Sequence, residues 1–194
     1  MPEIVLPREP LVDGPTALRV WRDADVGSIV EACQDPEIAR WTQVPEHYGE
    51  VDAQAYLLER YNATHAGATA PFAIVDAGEL DRLLGSISIL RLAWEHARGE
   101  VGYWLAPEAR GHGHATRALR LICRWAFDSL GLERIDLLAA TGNVPSQQVA
   151  ERAGFHREGV LRSYMNGKGE RHDMVAFGLL PGDTAGRNPP PSRL

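Results

Sequence analysis

The chain is poor in cysteine, carries no excess of basic charge and contains no long apolar run. Among its 194 residues only Cys33 and Cys123 are cysteines, with no CxxC and no histidine at ligand spacing beside them. That excludes a cysteine-based metal site and a disulfide framework, and the two read as buried free thiols on helices. Twenty Lys and Arg against 26 Asp and Glu leave a net charge of −6. Nucleic-acid binders need a basic face to displace counterions from phosphate, so that class is set aside. A local basic cluster for a small anion remains compatible with the balance. No run approaches the roughly 18 apolar residues that span a bilayer, and the opening MPEIVLPREP lacks the charged-then-apolar profile of a signal peptide. A cytoplasmic protein without a membrane partner is the expectation. There is no Gly-Lys-Ser or Gly-Lys-Thr triplet, which excludes a P-loop, and no internal repeat.

What is present is 44% hydrophobic and 24% charged, the make-up of one ordinary globular domain. The expected organisation is an N-terminal extension over 1–15, one domain over 16–180 and a disordered tail over 181–194, where GDTAGRNPPPSRL is rich in Gly and Pro. Residues 16–21 (TALRVW) alternate as a strand, and 23–33 open on an aspartate suited to capping and continue with helical spacing. Segment 35–42 (DPEIARWT) predicts a second helix, with Asp35 as cap and Pro36 at the first helical position. Segment 51–65 predicts a third, with Ala55, Leu58 and Tyr61 as its apolar stripe. Residues 72–76 and 84–92 suit an antiparallel hairpin and 101–105 adds a third strand. From 113 to 130 apolar residues recur at helical spacing, and Gly131 stops the helix. A strand over 134–140, a short helix over 146–153 and a closing strand pair over 155–163 and 172–179 complete the pattern.

The motif with chemical content is RGHGHAT, Arg110 to Thr116, set between a strand and a long helix. Gly111 and Gly113 let the chain turn tightly, so that backbone amides join the unpaired donors at the helix start. Such a turn binds anions, the helix dipole reinforces it, and Arg110 offers a full charge beside it. A pyrophosphate is the natural ligand. A dinucleotide fingerprint fits less well, because Thr116 stands where the third Gly or Ala belongs and the nearest acid, Asp136, lies inside the next strand.

The order of strand, glycine turn, long helix, strand, Asn-x-x-Ser, short helix and Gly-Phe resembles the GNAT acetyltransferases. The residues that carry it are EVGYWLAPEARGHGHATRAL, then TGNVPS, then ERAGFHREGVLR. Within that superfamily the chain looks like the RimJ/RimL type of ribosomal-protein N-terminal acetyltransferase. DPEIARWT and GERHDMVAFGLL extend the likeness to about residues 16–180. The resemblance implies an α/β fold (α+β) with a mixed, bent sheet of about seven strands, whose fourth and fifth strands splay apart. It implies acetyl-CoA as co-substrate and no metal, an amine acceptor that is a peptide N-terminus or a small molecule, and a homodimer. It places the pyrophosphate on Arg110, Gly111, His112, Gly113, His114, Ala115 and Thr116, and the pantetheine on the backbone of Gly102, Tyr103, Trp104 and Leu105 and on Asn143.

The proton-handling groups are less clear. An α-amine with a pKa near 8 is partly neutral at neutral pH, so strong base catalysis is dispensable. Ser146 is the expected hydroxyl for the departing thiolate, or else simply a cap of the short helix. Relatives place a tyrosine four residues before the Gly-Phe pair and a glutamate seven beyond Glu-Gly, and here these are Ala150 and Met165. Glu100 is then the first residue to consider as a water-mediated base, against a simple strand-end acid. His112 and His114 read as surface or phosphate-facing groups, and His172 with Asp173 as a structural pair. Trp41, Tyr48, Trp94 and Tyr164 are candidates to line the acceptor cleft. The rival readings are an acyl-CoA-binding regulatory module without catalysis and a nucleotide-dependent oxidoreductase.

Overall fold

Alternating burial along the central strands organises the molecule. On β3 (Ala70–Asp76) Phe72 and Ile74 point to one core while Ala73 and Val75 point to the other, as the two-residue period of a strand requires. A sheet apolar on both faces needs a helical layer on each. The computed structural model describes residues 4–167 and 169–184. In it, α1 (Val26–Ala32), α2 (Pro36–Trp41) and α3 (Glu50–His65) cover one face, and α4 (His114–Leu130) and α5 (Val144–Ala153) cover the other.

Besides β3 the sheet contains β1 (Leu11–Asp13), β2 (Thr16–Arg19), β4 (Leu83–Ala93), β5 (Arg98–Leu105), β6 (Arg134–Ala140), β7 (His156–Gly167) and β8 (Glu170–Leu179). Its order is β1-β2-β3-β4-β5-β6-β8-β7, antiparallel throughout except between β5 and β6. The chain is therefore α/β with a mixed sheet, and the eighth strand is β1, turned onto β2 through Gly14 at φ 56°. The splayed fourth and fifth strands of the sequence reading are β5 and β6. Of the segment expected to be a disordered tail, 181–184 forms one helical turn, α6 (Pro181–Thr184), and 185–194 lie outside the described residues. Among the described residues no helix is long and apolar enough to cross a membrane.

Local signals explain most boundaries. Asp35 accepts the Glu37 N–H at 3.3 Å with Pro36 inside the first turn, the expected start of α2. Gly113 and Gly131, both left-handed, bracket α4. The stripe expected on α3 is corrected: Leu58 and Tyr61 are each 62% exposed, and the helix turns Ala53 and Thr64 inward instead. Tyr56 and Leu57 lie on that inward face and pack against the same core, so two apolar stripes compete on this helix and the expected one is left in solvent.

Both thiols are buried, and burial pushes Cys33 up to about 12 and Cys123 higher still. Where β4 meets β5, a Cβ on Gly85 would stand 2.2 Å from the Trp104 carbonyl oxygen, a backbone atom with nowhere to go. Gly85→Ala is expected to cost about 3 kcal/mol, the upper end for overpacking. A melting temperature lowered by roughly 6–12 °C would register this.

Candidate active site

Strand β5 ends at Leu105, a 3-10 turn spans Pro107–Ala109, and Gly111 and Gly113, both at φ 80°, swing the chain into α4. Gly113 caps that helix without a side-chain bond, so the amides of its first turn are open to an anion. Gly113, Thr116, Arg117 and Arg120 line a surface cavity of about 770 Å³, with Glu151 and Arg152 across it from α5. Arg117 donates to the His112 carbonyl at 3.0 Å and Arg120 to the Arg152 carbonyl at 2.6 Å, which holds both guanidinium groups beside the turn.

Arg110 sits differently from its sequence reading. Its guanidinium pairs with Asp35, the cap of α2, and donates to the Leu105 carbonyl at 2.9 Å, and it is not among the cavity residues. The cations at the turn are Arg117 and Arg120, both on α4. His112 is exposed, whereas His114 is turned inward, 8% exposed, with Nδ1 2.8 Å from the Thr16 hydroxyl. Burial first, then the nearby His112 and Arg117 charges, hold the His114 imidazole below its ordinary pKa. The neutral ring is thus the form the fold accepts. The unfolded chain takes up the proton more readily, so stability falls as pH drops below the ordinary histidine value of about 6.5. An H114Q variant is expected to lose that part of the acid sensitivity, measured as the change in melting temperature between pH 7.5 and 5.5.

The parallel ladder between β5 and β6 runs over Arg98↔Arg134, Gly99↔Ile135 and Glu100↔Asp136 and stops there. Beyond it β5 pairs with β4 and β6 with β8, but not with each other, so backbone groups on the two facing edges are left for another partner. The gap leaves room for an extended chain that carries amide groups, and the glycine turn opens at its wide end.

Across the gap the Tyr103 hydroxyl lies 3.1 Å from the Ser146 hydroxyl. Ser146 stands in the first turn of α5 and, against one of its two expected roles, does not cap the helix. Asn143 is the cap, its Oδ1 accepting the Ser146 N–H at 3.2 Å, and the Ser146 hydroxyl is left to Tyr103. Burial pushes the Tyr103 phenol above its ordinary pKa, with the Ser146 bond acting in the opposite direction. Gly102, Trp104 and Leu105 are half-buried along the same strand, with Trp104 on the α1–α3 side and Leu105 on the α4 side. Ala115 is buried under the turn.

Glu100 occupies the last rung of the ladder, and its carboxylate is held in an ion pair by Arg91, a residue at φ 48°. Opposite, Asp136 accepts from Arg134 at 2.7 Å. Ala150 is fully buried, and Met165 lies on β7 across from His172. Asp173 does not pair with His172 as read; it accepts the Ser163 N–H at 2.7 Å, locking a bulge in β7. Of the aromatic candidates, Trp41 stands at the gap, its ring 3.3 Å from where a Cβ on Gly142 would be, and its Nε1 donates to Glu37. Tyr48 is buried in the α1–α3 core, Trp94 donates to the Gly67 carbonyl, and Tyr164 is exposed on β7.

Residues 16–156 match the family model described as acetyltransferase (GNAT) domain. YdaF of Bacillus subtilis (strain 168), named as a candidate ribosomal N-acetyltransferase, is 40% identical over 108 residues, 55% of this chain and 59% of that relative. The chain thus spans under two thirds of that relative's length in the match. Two solved structures share the fold. One is RimL, a ribosomal L7/L12 alpha-N-protein acetyltransferase in complex with coenzyme A (TM-score 0.79, 18% identity, 89% of this chain and 98% of that one). The other is spermidine N-acetyltransferase from Vibrio cholerae in complex with CoA and spermine (TM-score 0.76, 21% identity, 89% and 99%).

Proposed function

We propose that this chain, which belongs to the GNAT acetyltransferase family, is an acetyl-CoA-dependent N-acetyltransferase that passes the acetyl group directly, in a ternary complex, to the α-amine of a peptide. In this reading the amides of residues 111–116 and the side chains of Thr116, Arg117 and Arg120 hold the pyrophosphate. The free edge of β5 from Gly102 to Leu105 holds the pantetheine, with Asn143 at the opposite strand end. An amide of that edge meets the negative charge that develops on the attacked carbonyl oxygen. The Ser146 hydroxyl faces the sulfur.

The observation that carries the choice of acceptor is the Arg91–Glu100 ion pair. The carboxylate first considered as a base is committed to a cation, and the other expected position is Met165. An acceptor that needs no strong base is therefore favoured. An α-amine, with a pKa of about 7.7–8.0, is partly neutral at pH 7, whereas a lysine-like amine near 10.4 is almost wholly protonated. The ribosomal naming of YdaF and RimL points the same way.

The test is kcat/KM at pH 7 for a short peptide with a free N-terminus and no lysine, compared with spermidine. The peptide is expected to be better by at least about tenfold, with spermidine gaining about tenfold per pH unit between 7 and 9 as its neutral fraction grows. Equal or reversed preference at pH 7 would defeat the α-amine assignment. Binding of acetyl-CoA without any release of CoA would favour the regulatory module instead.

A further inference from the structure

The phenol in the gap has no role in the reading above, which uses only the Tyr103 backbone. Tyr103 lies on β5 three residues beyond the last β5–β6 rung, and Ser146 lies just past the end of β6, so their hydroxyl pair spans the open part of the splay. Ser146 is fixed from behind by Asn143, which takes its backbone N–H and leaves the hydroxyl directed at Tyr103. Ala150 follows one turn later on α5, fully buried and without a hydroxyl. A second proton source from that helix is absent at this position, and one enters from the facing strand.

The chemistry gives the pair a task. When the acetyl group moves, the carbon–sulfur bond breaks and its electron pair stays on sulfur. An aliphatic serine hydroxyl is a poor acid, and it can deliver a proton only if another is supplied to its oxygen in the same motion. A phenol, with an ordinary pKa of about 10, is much closer to an alkyl thiol at about 8.5. Resting on the acetyltransfer reading, we infer that Tyr103 is a positioning residue behind Ser146, and that the two hydroxyls form a relay to the departing sulfur.

The balance is complete without any further reactant. Sulfur gains the Ser146 proton, the Ser146 oxygen gains the Tyr103 proton, and the acceptor nitrogen loses one proton to water. The phenolate recovers one from water. Burial keeps the phenol neutral, and so a donor, across the working pH range; because the same burial weakens it as an acid, its proton moves only in concert with the Ser146 transfer.

The test uses the full chain, acetyl-CoA and the better of the two probes, the free N-terminal peptide or spermidine. Y103F keeps the ring packed and is expected to lower kcat about a hundredfold, the lower end for loss of positioned acid catalysis, with KM for acetyl-CoA within about twofold. S146A should lose as much, and Y103F/S146A no more than S146A, because a relay broken once is broken. Tyr103 replaced by 3,5-difluorotyrosine, whose phenol ionises at lower pH, should bring a new alkaline fall in kcat into the accessible range. That last variant also answers the case of a poorly folding Y103F. The inference is overturned if Y103F retains kcat, if its loss lies only in KM, if the double loss is the product of the single ones, or if the fluorinated enzyme keeps the wild-type pH profile. A wild-type chain that acetylates neither probe overturns the reading beneath it, and the wild-type control separates that failure from the others.

Discussion

Valine at both Gly111 and Gly113 is expected to weaken CoA binding about a hundredfold. Both residues sit at φ 80°, where a side chain strains the backbone whatever the surrounding space. A position of this kind costs of order 1–3 kcal/mol when it is not glycine. Taking about 1.4 kcal/mol at each, the loop gains by abandoning the turn, and the amides that converge on the anion disperse; that sum is a factor of about 100 in Kd. At Gly111 space is not the reason, since nothing lies within 4 Å of a Cβ there, whereas a Cβ on Gly113 would stand 2.7 Å from Arg117 Nη1 and push that guanidinium aside as well. Calorimetric titration of CoA into both proteins reads the difference. Unchanged affinity would mean that the pyrophosphate is held elsewhere.

Asp25→Ala is expected to destabilise the fold by about 3–5 kcal/mol. Arg19 on β2 and Asp25 before α1 form a two-pronged pair at 2.7 and 2.8 Å with side chains 3% and 5% exposed. Asp25 also accepts the Arg22 N–H at 2.8 Å. Removing the carboxylate leaves a guanidinium charge buried without its counter-ion, which costs far more than the pair itself contributes. For a chain of this size the melting temperature should fall by roughly 6–20 °C. Replacing both residues, as in R19M/D25L, should recover most of the loss, since well-packed apolar groups of similar volume replace a buried pair at little cost. A loss below about 1 kcal/mol in D25A would contradict this account of how β2 and α1 are joined.

The parts of this molecule legible in its sequence are those whose cause is local. Glycines at both ends of α4, the Asp35–Pro36 start of α2 and the alternation of β3 all act within a few residues. Strand β1 was hidden because three residues before a Gly-Pro turn carry almost no periodic signal. The stripe on α3 is ambiguous in the sequence because period alone does not say which of two stripes meets the sheet, and it is the one with Ala53, Tyr56 and Leu57 that does. In the site, the glycine turn was readable and the fates of the side chains were not. Arg110 looks like a phosphate ligand until Asp35, 75 residues away, takes its charge. Ser146 can be read as a thiolate donor or as a cap until Asn143 is found at the cap, and Tyr103 is expected to offer only its backbone until β6 and α5 bring Ser146 to its phenol. Each of these depends on a partner distant in sequence that no spacing rule supplies.

The most direct test of the central claim is the release of free CoA thiol from acetyl-CoA, measured with the purified chain and a peptide whose N-terminus is either free or blocked. Release is expected with the free peptide alone, matched mole for mole by a peptide heavier by one acetyl group. Tight binding of acetyl-CoA with no release, or release at the same rate from the blocked peptide, would contradict it.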